Sequence, residues 1–225
     1  MRIVLWDVDG TLLLTGGAGL RAFSRAFREL DLPDSMEGVD PSGKTDPQIV
    51  REILVRLGIE HRLSEILPAF VSLYLAFFRE ELAASERFRV LPGVRELVSR
   101  LAGERSVLQG LATGNLEEAA YLKLERAGLS PFFSFGGFGS DAENRTELIR
   151  VALSRARTRV PGTREDSAFV IGDTPLDILH GKANGARTIA VASGSHSRAS
   201  LAAHAPDLLV DALEPMESIL DFVLS

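Results

Sequence analysis

The chain has 225 residues, 45% hydrophobic and 25% charged, enough to bury the core of one large domain or of one domain carrying an insertion. A net charge of −6 disfavours a nucleic-acid binder, whose footprint is a basic patch, and the lack of cysteine excludes disulfides, thiolate metal sites and cysteine nucleophiles. No apolar run reaches the roughly 18 residues of a membrane span, and the first residues lack the pattern of a secretory signal, so a cytoplasmic protein with no membrane partner is expected.

Arg2-Ile3-Val4-Leu5-Trp6 is short, β-branched and aromatic, and reads as a buried central strand of a parallel sheet. Gly16, Gly17 and Gly19 make a flexible joint, and no dinucleotide-type glycine register fits there. Leu20, Phe23, Phe27 and Leu30 at helical spacing predict a helix over 20–30. Residues 31–40 and 41–47 read as loops. Asp46 and Pro47 look like the cap and first position of a helix that Gly58 stops. The stripe Ile66, Phe70, Val71, Tyr74, Phe77 and Phe78 predicts a long amphipathic helix from Ser64 to about residue 84, its aromatics forming core.

Beyond residue 90 the texture changes. Leu91-Pro92-Gly93 reads as a hinge-like turn. Helices are predicted over 94–101, 116–127, 143–157 and 175–184, alternating with strands over 107–113, 132–138, 167–171, 187–191 and 207–210. Such alternation predicts an α/β fold: a Rossmann-like parallel sheet with flanking helices. The expected core spans 1–14 and 90–225, with an all-helical domain, 15–89, inserted after strand one.

Polar clusters stand where these strands end. Asp7-Val8-Asp9-Gly10-Thr11 follows the first strand, and two acids there suggest either a divalent cation or a turn capped by Asp9. Thr113-Gly114-Asn115, Arg145 and the pair Asp173/Asp177 stand at the neighbouring ends. In a parallel sheet these edges lie side by side, and so many acids repel unless a cation sits among them. Thr113 offers a hydroxyl, and Gly114 and Asn115 offer N–H groups near a helix start, which suits an anion. Metal, anion donors and a carboxylate nucleophile together describe phosphoryl transfer.

Asp7-Val8-Asp9-Gly10-Thr11, the strand-end Thr113 and Gly172-Asp173-Thr174-Pro175-Leu176-Asp177 resemble the motifs of the haloacid dehalogenase-like hydrolase superfamily. The position of the helical insertion resembles its cap type one, as in the phosphoglycolate phosphatase and β-phosphoglucomutase group. The resemblance implies that Asp7 attacks phosphorus, that Asp9 protonates the leaving oxygen and later activates water, and that Thr113 and the neighbouring amide bind the transferring group. It implies Mg²⁺ held by the Asp7 carboxylate, the Asp9 backbone carbonyl and Asp173, with Asp177 acting indirectly. The family usually has Lys where Arg145 is the best match here; Lys123 and Lys182 are rival cations, each within a helix pattern and read as solvated. Lys44, in a cap loop, sits where family members often contact substrate, although an exposed lysine beside a helix cap is the residue-level reading. The scattered His61, His180, His196 and His204 read as surface residues.

The expected function is Mg²⁺-dependent hydrolysis of a small phosphorylated metabolite by a monomer or homodimer. A phosphomutase would use the same Asp7 and Asp9 but exclude water. A phosphonate hydrolase would need a cap lysine of lowered pKa, and a dehalogenase has no use for Asp9. A non-catalytic binding module is the alternative of another class. The joints near 15–19 and 91–93 suggest that the helical insertion moves as a lid.

Overall fold

The computed structural model describes residues 1–33, 36, 38–161 and 167–225, so the loop predicted over 31–40 lies partly outside the described residues. Strand β1 (Arg2–Trp6) sits at the centre of a six-stranded parallel sheet. Its neighbours are β4 (Val107–Ala112) and β6 (Ala168–Gly172), with Trp6 opposite Leu111 and Ile171. With β5 (Gly136–Gly137), β7 (Arg187–Val191) and β8 (Leu208–Val210) the order is β5-β4-β1-β6-β7-β8.

Both faces of the sheet are covered, which is why β1 is apolar from Ile3 to Trp6 instead of alternating. Val4 and Trp6 point into one cluster, with Leu97 and Leu101 of α4 (Val94–Ala102) and Leu124 of α5 (Glu117–Ala127). Ile3 and Leu5 point into the other, with Leu148, Ile149 and Ala152 of α6 (Arg145–Arg159). Beyond β6, α7 (Pro175–Ala183) starts in a reciprocal cap in which Thr174 and Asp177 bond each other's backbone N–H.

Between β1 and β4 the chain builds α1 (Ala18–Glu29), α2 (Asp46–Arg56) and α3 (Leu63–Ala84), which share a second apolar cluster that also takes in Leu116 and Ala119 at the start of α5. Phe70, Tyr74 and Phe78 recur every four residues on α3 and are buried, and Phe23 meets Tyr74 edge-on with ring centroids 4.6 Å apart. The α3 stripe is core, as its spacing predicted. No helix among the described residues is long and apolar enough to cross a membrane.

Several expectations need correction. The aromatic strand over 132–138 is a 3-10 turn at Ser130–Phe132 followed by a ladder limited to Gly136–Gly137. Phe133 and Phe138 pack into one core cluster and Phe135 into the other; residues 133 and 135 would share a face in a regular strand, so the segment before Gly136 does not follow strand geometry. The cap of α2 is Thr45, whose Oγ1 accepts from Gln48 N at 3.2 Å; Asp46 is the first helical residue, its carboxylate turned elsewhere. The short helices α8 (Arg198–Ala202) and α9 (Glu217–Leu224) had no predicted counterpart.

The two linkers to the helical segment pair as short antiparallel strands, β2 (Leu13–Leu14) with β3 (Arg89–Val90). Gly16 lies just beyond, with φ +64°, and a Cβ there would stand 2.6 Å from Arg87 Cβ and 2.7 Å from Ser85 Oγ. Gly17, at φ +83°, would meet only the Arg21 guanidinium at 3.1 Å. The first joint is therefore a turn packed against the returning chain. Gly16→Ala should lower stability by at least about 1–2 kcal/mol, the usual cost of a left-handed non-glycine residue, and by more than Gly17→Ala. Urea midpoints at unchanged m-value check this.

Candidate active site

Asp7 leaves β1 while its N–H still donates to Ile171 O at 2.9 Å, so the strand ladder fixes its backbone. Its side chain points inward and is buried. Arg145, the first residue of α6, reaches it because Asn144 caps that helix, accepting from Thr146 N at 2.8 Å. The Arg145 Nη2 donates to Asp7 Oδ1 at 3.0 Å and to Asp177 Oδ1, and Nη1 donates to Gly43 O at 3.0 Å. Burial would lower the Arg145 pKa, but Asp177 and Asp7 hold it above its usual value, so it is permanently charged. Its Nε is buried without a partner.

The carboxylates of Asp7, Asp173 and Asp177 offer oxygens all within 4.8 Å of one another, and all three residues are buried. Asp173 accepts from Thr11 Oγ1 at 3.0 Å and occupies space that two glycines leave open: a Cβ on Gly194 would lie 1.7 Å from its Oδ2, and one on Gly10 2.3 Å. One guanidinium cannot balance three carboxylates. Burial first, then neighbouring acids, push Asp173 up to about 8; burial also pushes Asp7 up to about 7 against the pull of Arg145. A crowded, buried set of hard oxygen donors fits a hard divalent cation. The Asp9 carboxylate stands outside the cluster; the role expected for Asp9 runs through its backbone carbonyl. Asp177 belongs to the cluster by distance, but its Oδ2 is engaged by Thr174 N and Oγ1, and its Oδ1 by Arg145.

Asp9 lies at the cavity edge with its side chain 43% exposed. Its Oδ2 accepts from Asn115 Nδ2 at 2.7 Å and from Lys123 Nζ at 2.5 Å. Lys123 is therefore not solvated: its side chain is 4% exposed. The signal was available. Ala119, Ala120, Lys123, Leu124 and Ala127 form the buried face of α5, and the lysine stands four residues from two of these alanines, on the apolar stripe. Lys182, by contrast, is exposed and bonds the carbonyls of His204 and Ala205.

Thr113, fully buried, accepts from Asn115 Nδ2 at 2.7 Å, which leaves its hydroxyl proton free to donate. The Asn115 N–H, expected to serve an anion, faces Thr113 Oγ1 at 3.4 Å, and the next amide, Leu116 N, donates to Asp46 Oδ2 at 2.8 Å. Gly114 supports the fit of the helical segment: a Cβ there would strike Lys44 O at 2.0 Å. Lys44 lines the cavity, its ammonium paired with Glu52 at 2.6 Å. Asp7, Asp9, Thr113, Gly114, Asn115, Lys123, Arg145 and Asp173 all border one half-open cavity of about 810 Å³, lined from the helical segment by Phe23, Ile49 and Tyr74.

Residues 4–191 match the family model described as haloacid dehalogenase-like hydrolase. The chain belongs to the haloacid dehalogenase-like hydrolase family. It is 30% identical to the probable phosphatase IndB of Dickeya dadantii, over 93% of this chain and 89% of that one. It is 26% identical to the phosphoglycolate phosphatase of Pseudomonas fluorescens, over 96% of this chain and 78% of that one. The crystal structure of a predicted phosphatase from Clostridium acetobutylicum shares the fold, with a TM-score of 0.75 at 18% identity and 98% coverage of both chains. This hydrolase thus stands among relatives named as phosphatases.

A cation in this hydrolase would compete with protons. Asp7 and Asp173 ordinarily titrate at 3.8, and burial raises them in the folded chain to about 7 and about 8. The folded state binds protons that the unfolded state has released, so these two groups favour folding at low pH and that contribution is lost as pH rises through those values. A bound cation replaces the protons. Added Mg²⁺ should therefore raise the Tm little at about pH 6 and clearly more at about pH 8.5. Thermal melts with and without Mg²⁺ at both pH values check this, and Asp173→Ala should remove the difference.

Proposed function

We propose that this hydrolase is a Mg²⁺-dependent phosphatase that hydrolyses a small phosphorylated metabolite through an aspartyl-phosphate on Asp7. The observation that carries the reading is a buried carboxylate, held by a buried arginine, facing a cavity edged by a second, half-exposed carboxylate. Two acids in such different settings suit two different tasks. The cavity volume of about 810 Å³ suits a metabolite.

Asp7, with Asp173 and through Asp177, would hold Mg²⁺ together with the Asp9 backbone carbonyl. When bound, the ion supplies positive charge that draws a phosphoryl oxygen beside the Asp7 carboxylate and offsets their repulsion. Asp7 attacks phosphorus, its strand-anchored backbone and its bond to Arg145 fixing the carboxylate. The Thr113 hydroxyl, whose proton is free, donates to a phosphoryl oxygen, with Gly114 and Asn115 shaping the wall beside it. Arg145 supplies the charge that lysine supplies elsewhere in the family. Asp9 gives its proton to the leaving oxygen, then takes one from the water that cleaves the acyl phosphate. The segment 15–89 serves as a cap on a core formed by 1–14 and 90–225, shielding the transfer from bulk water, with Lys44 among its cations that line the cavity.

The full chain with Mg²⁺ should release inorganic phosphate from nitrophenyl phosphate, and Asp7→Asn should cut that turnover by about 10³-fold or more while the thermal melt stays near that of the parent. Turnover that survives Asp7→Asn would remove the covalent route, and no turnover across a panel of phosphorylated metabolites would remove the phosphatase reading.

A further inference from the structure

A lysine buried at the end of a substrate cavity needs a reason to be there, since taking an ammonium out of water is costly unless its partners compensate. Lys123 reaches toward the N-terminal end of α5, across Ala119 and Ala120, whose small side chains leave room for its stem. Its ammonium meets Asp9 Oδ2 at 2.5 Å and Asn115 Oδ1 at 2.5 Å, and lies 5.5 Å from the centre of the Phe78 ring on α3. Asn115 completes the arrangement: one amide hydrogen goes to Asp9 Oδ2 and the other end of the amide accepts from Lys123. Both donors bind the same oxygen, Oδ2, which leaves Oδ1 of Asp9 for the reaction.

We infer that Lys123, working with Asn115, is a positioning residue that clamps one oxygen of Asp9 so that the other faces the leaving group of the substrate. The inference rests on the phosphatase reading above. In the step concerned, the Asp7–phosphorus bond forms as the bond from phosphorus to the leaving oxygen breaks, and the proton on Asp9 passes to that oxygen. Lys123 touches neither phosphorus nor the leaving group; it fixes the rotamer from which the proton is given. Phe78 covers the ammonium from the helical segment, so the clamp is complete only with that segment seated.

A clamp on the proton donor matters in proportion to how badly the leaving group needs a proton. For Lys123→Met, kcat/KM should fall by about 10²-fold on an alkyl phosphate such as glycerol phosphate and by no more than about 3-fold on dinitrophenyl phosphate, whose leaving group departs unprotonated. In an Asp9→Asn background the same substitution should cause no further loss on the alkyl substrate. Should Lys123→Met fail to fold, Lys123→Gln, which keeps a donor toward Asn115, should show the same dependence on leaving group. Equal losses on both substrates, or a full additional loss on top of Asp9→Asn, would mean that Lys123 only supports the fold. The alkyl phosphate used is one from the panel that the parent turns over; if the parent turns over none, or if Asp7→Asn leaves turnover intact, the phosphatase reading fails first.

Discussion

Three carboxylates share a buried space less than 5 Å across at the end of β1 and β6, answered by a single guanidinium. The rest of the molecule is arranged around that imbalance. The order β4-β1-β6 puts the exits of two acid-bearing strands side by side. Gly10 and Gly194 leave the space that Asp173 fills. The cap at Asn144 starts α6 where its first side chain reaches two of the acids. Removing the arginine would leave buried charge uncompensated, a loss of about 3–5 kcal/mol in comparable pairs. Keeping it still leaves excess negative charge, and the fold tolerates this as raised carboxylate pKa values when no cation is bound. The same imbalance that burdens the fold is the feature that suits a bound cation.

The use of arginine has its own consequence. A lysine ammonium is a compact point charge, whereas the guanidinium brings a rigid fork of N–H donors. Nη2 bridges Asp7 and Asp177, Nη1 reaches Gly43 in the loop before α2, and Nε is left over, at the usual penalty of about 1–3 kcal/mol for a buried unpaired donor. The fork thus ties Asp7 to the loop of the helical segment, a span that a single ammonium covers less well.

Much of this was legible in the sequence because burial on both faces writes itself as an unbroken apolar run, and strand-end acids stand out against it. β1, the α/β alternation and the acids at 7, 9, 173 and 177 followed from that contrast. Arg145 was read from its place just after the predicted aromatic strand and as the best match to the family's usual lysine, and its side chain lies beside Asp7. What escaped were features without side-chain signatures. The pair Leu13–Leu14 with Arg89–Val90 and the ladder at Gly136–Gly137 are backbone events two residues long. Asp46 has the composition of a cap, but its carboxylate bonds Leu116 across the interface, a partner seventy residues away that local reading does not see. Lys123 was misread because charge was taken to mean solvent, when its place on the Ala119, Ala120 and Ala127 stripe pointed inward.

The loop over 40–46 couples the two halves more tightly than a simple lid would. Asp46 N donates to Gly114 O at 2.8 Å, Asp46 Oδ2 accepts from Leu116 N, Thr45 Oγ1 donates to Glu143 O at 2.9 Å, and Gly43 O takes the Arg145 bond. Every one of these contacts ends on Arg145 itself or within two residues of Thr113, Asn115 or Arg145. Seating costs the desolvation of Asp46, whose carboxyl burial pushes up to about 6, and Lys123 and the Leu116 amide offset part of that cost. Lifting the helical segment together with this loop would return Asp46 to water, uncover Lys123 from Phe78 and free one arm of Arg145 at once. The seated arrangement is therefore what completes the electrostatics around both Asp7 and Asp9.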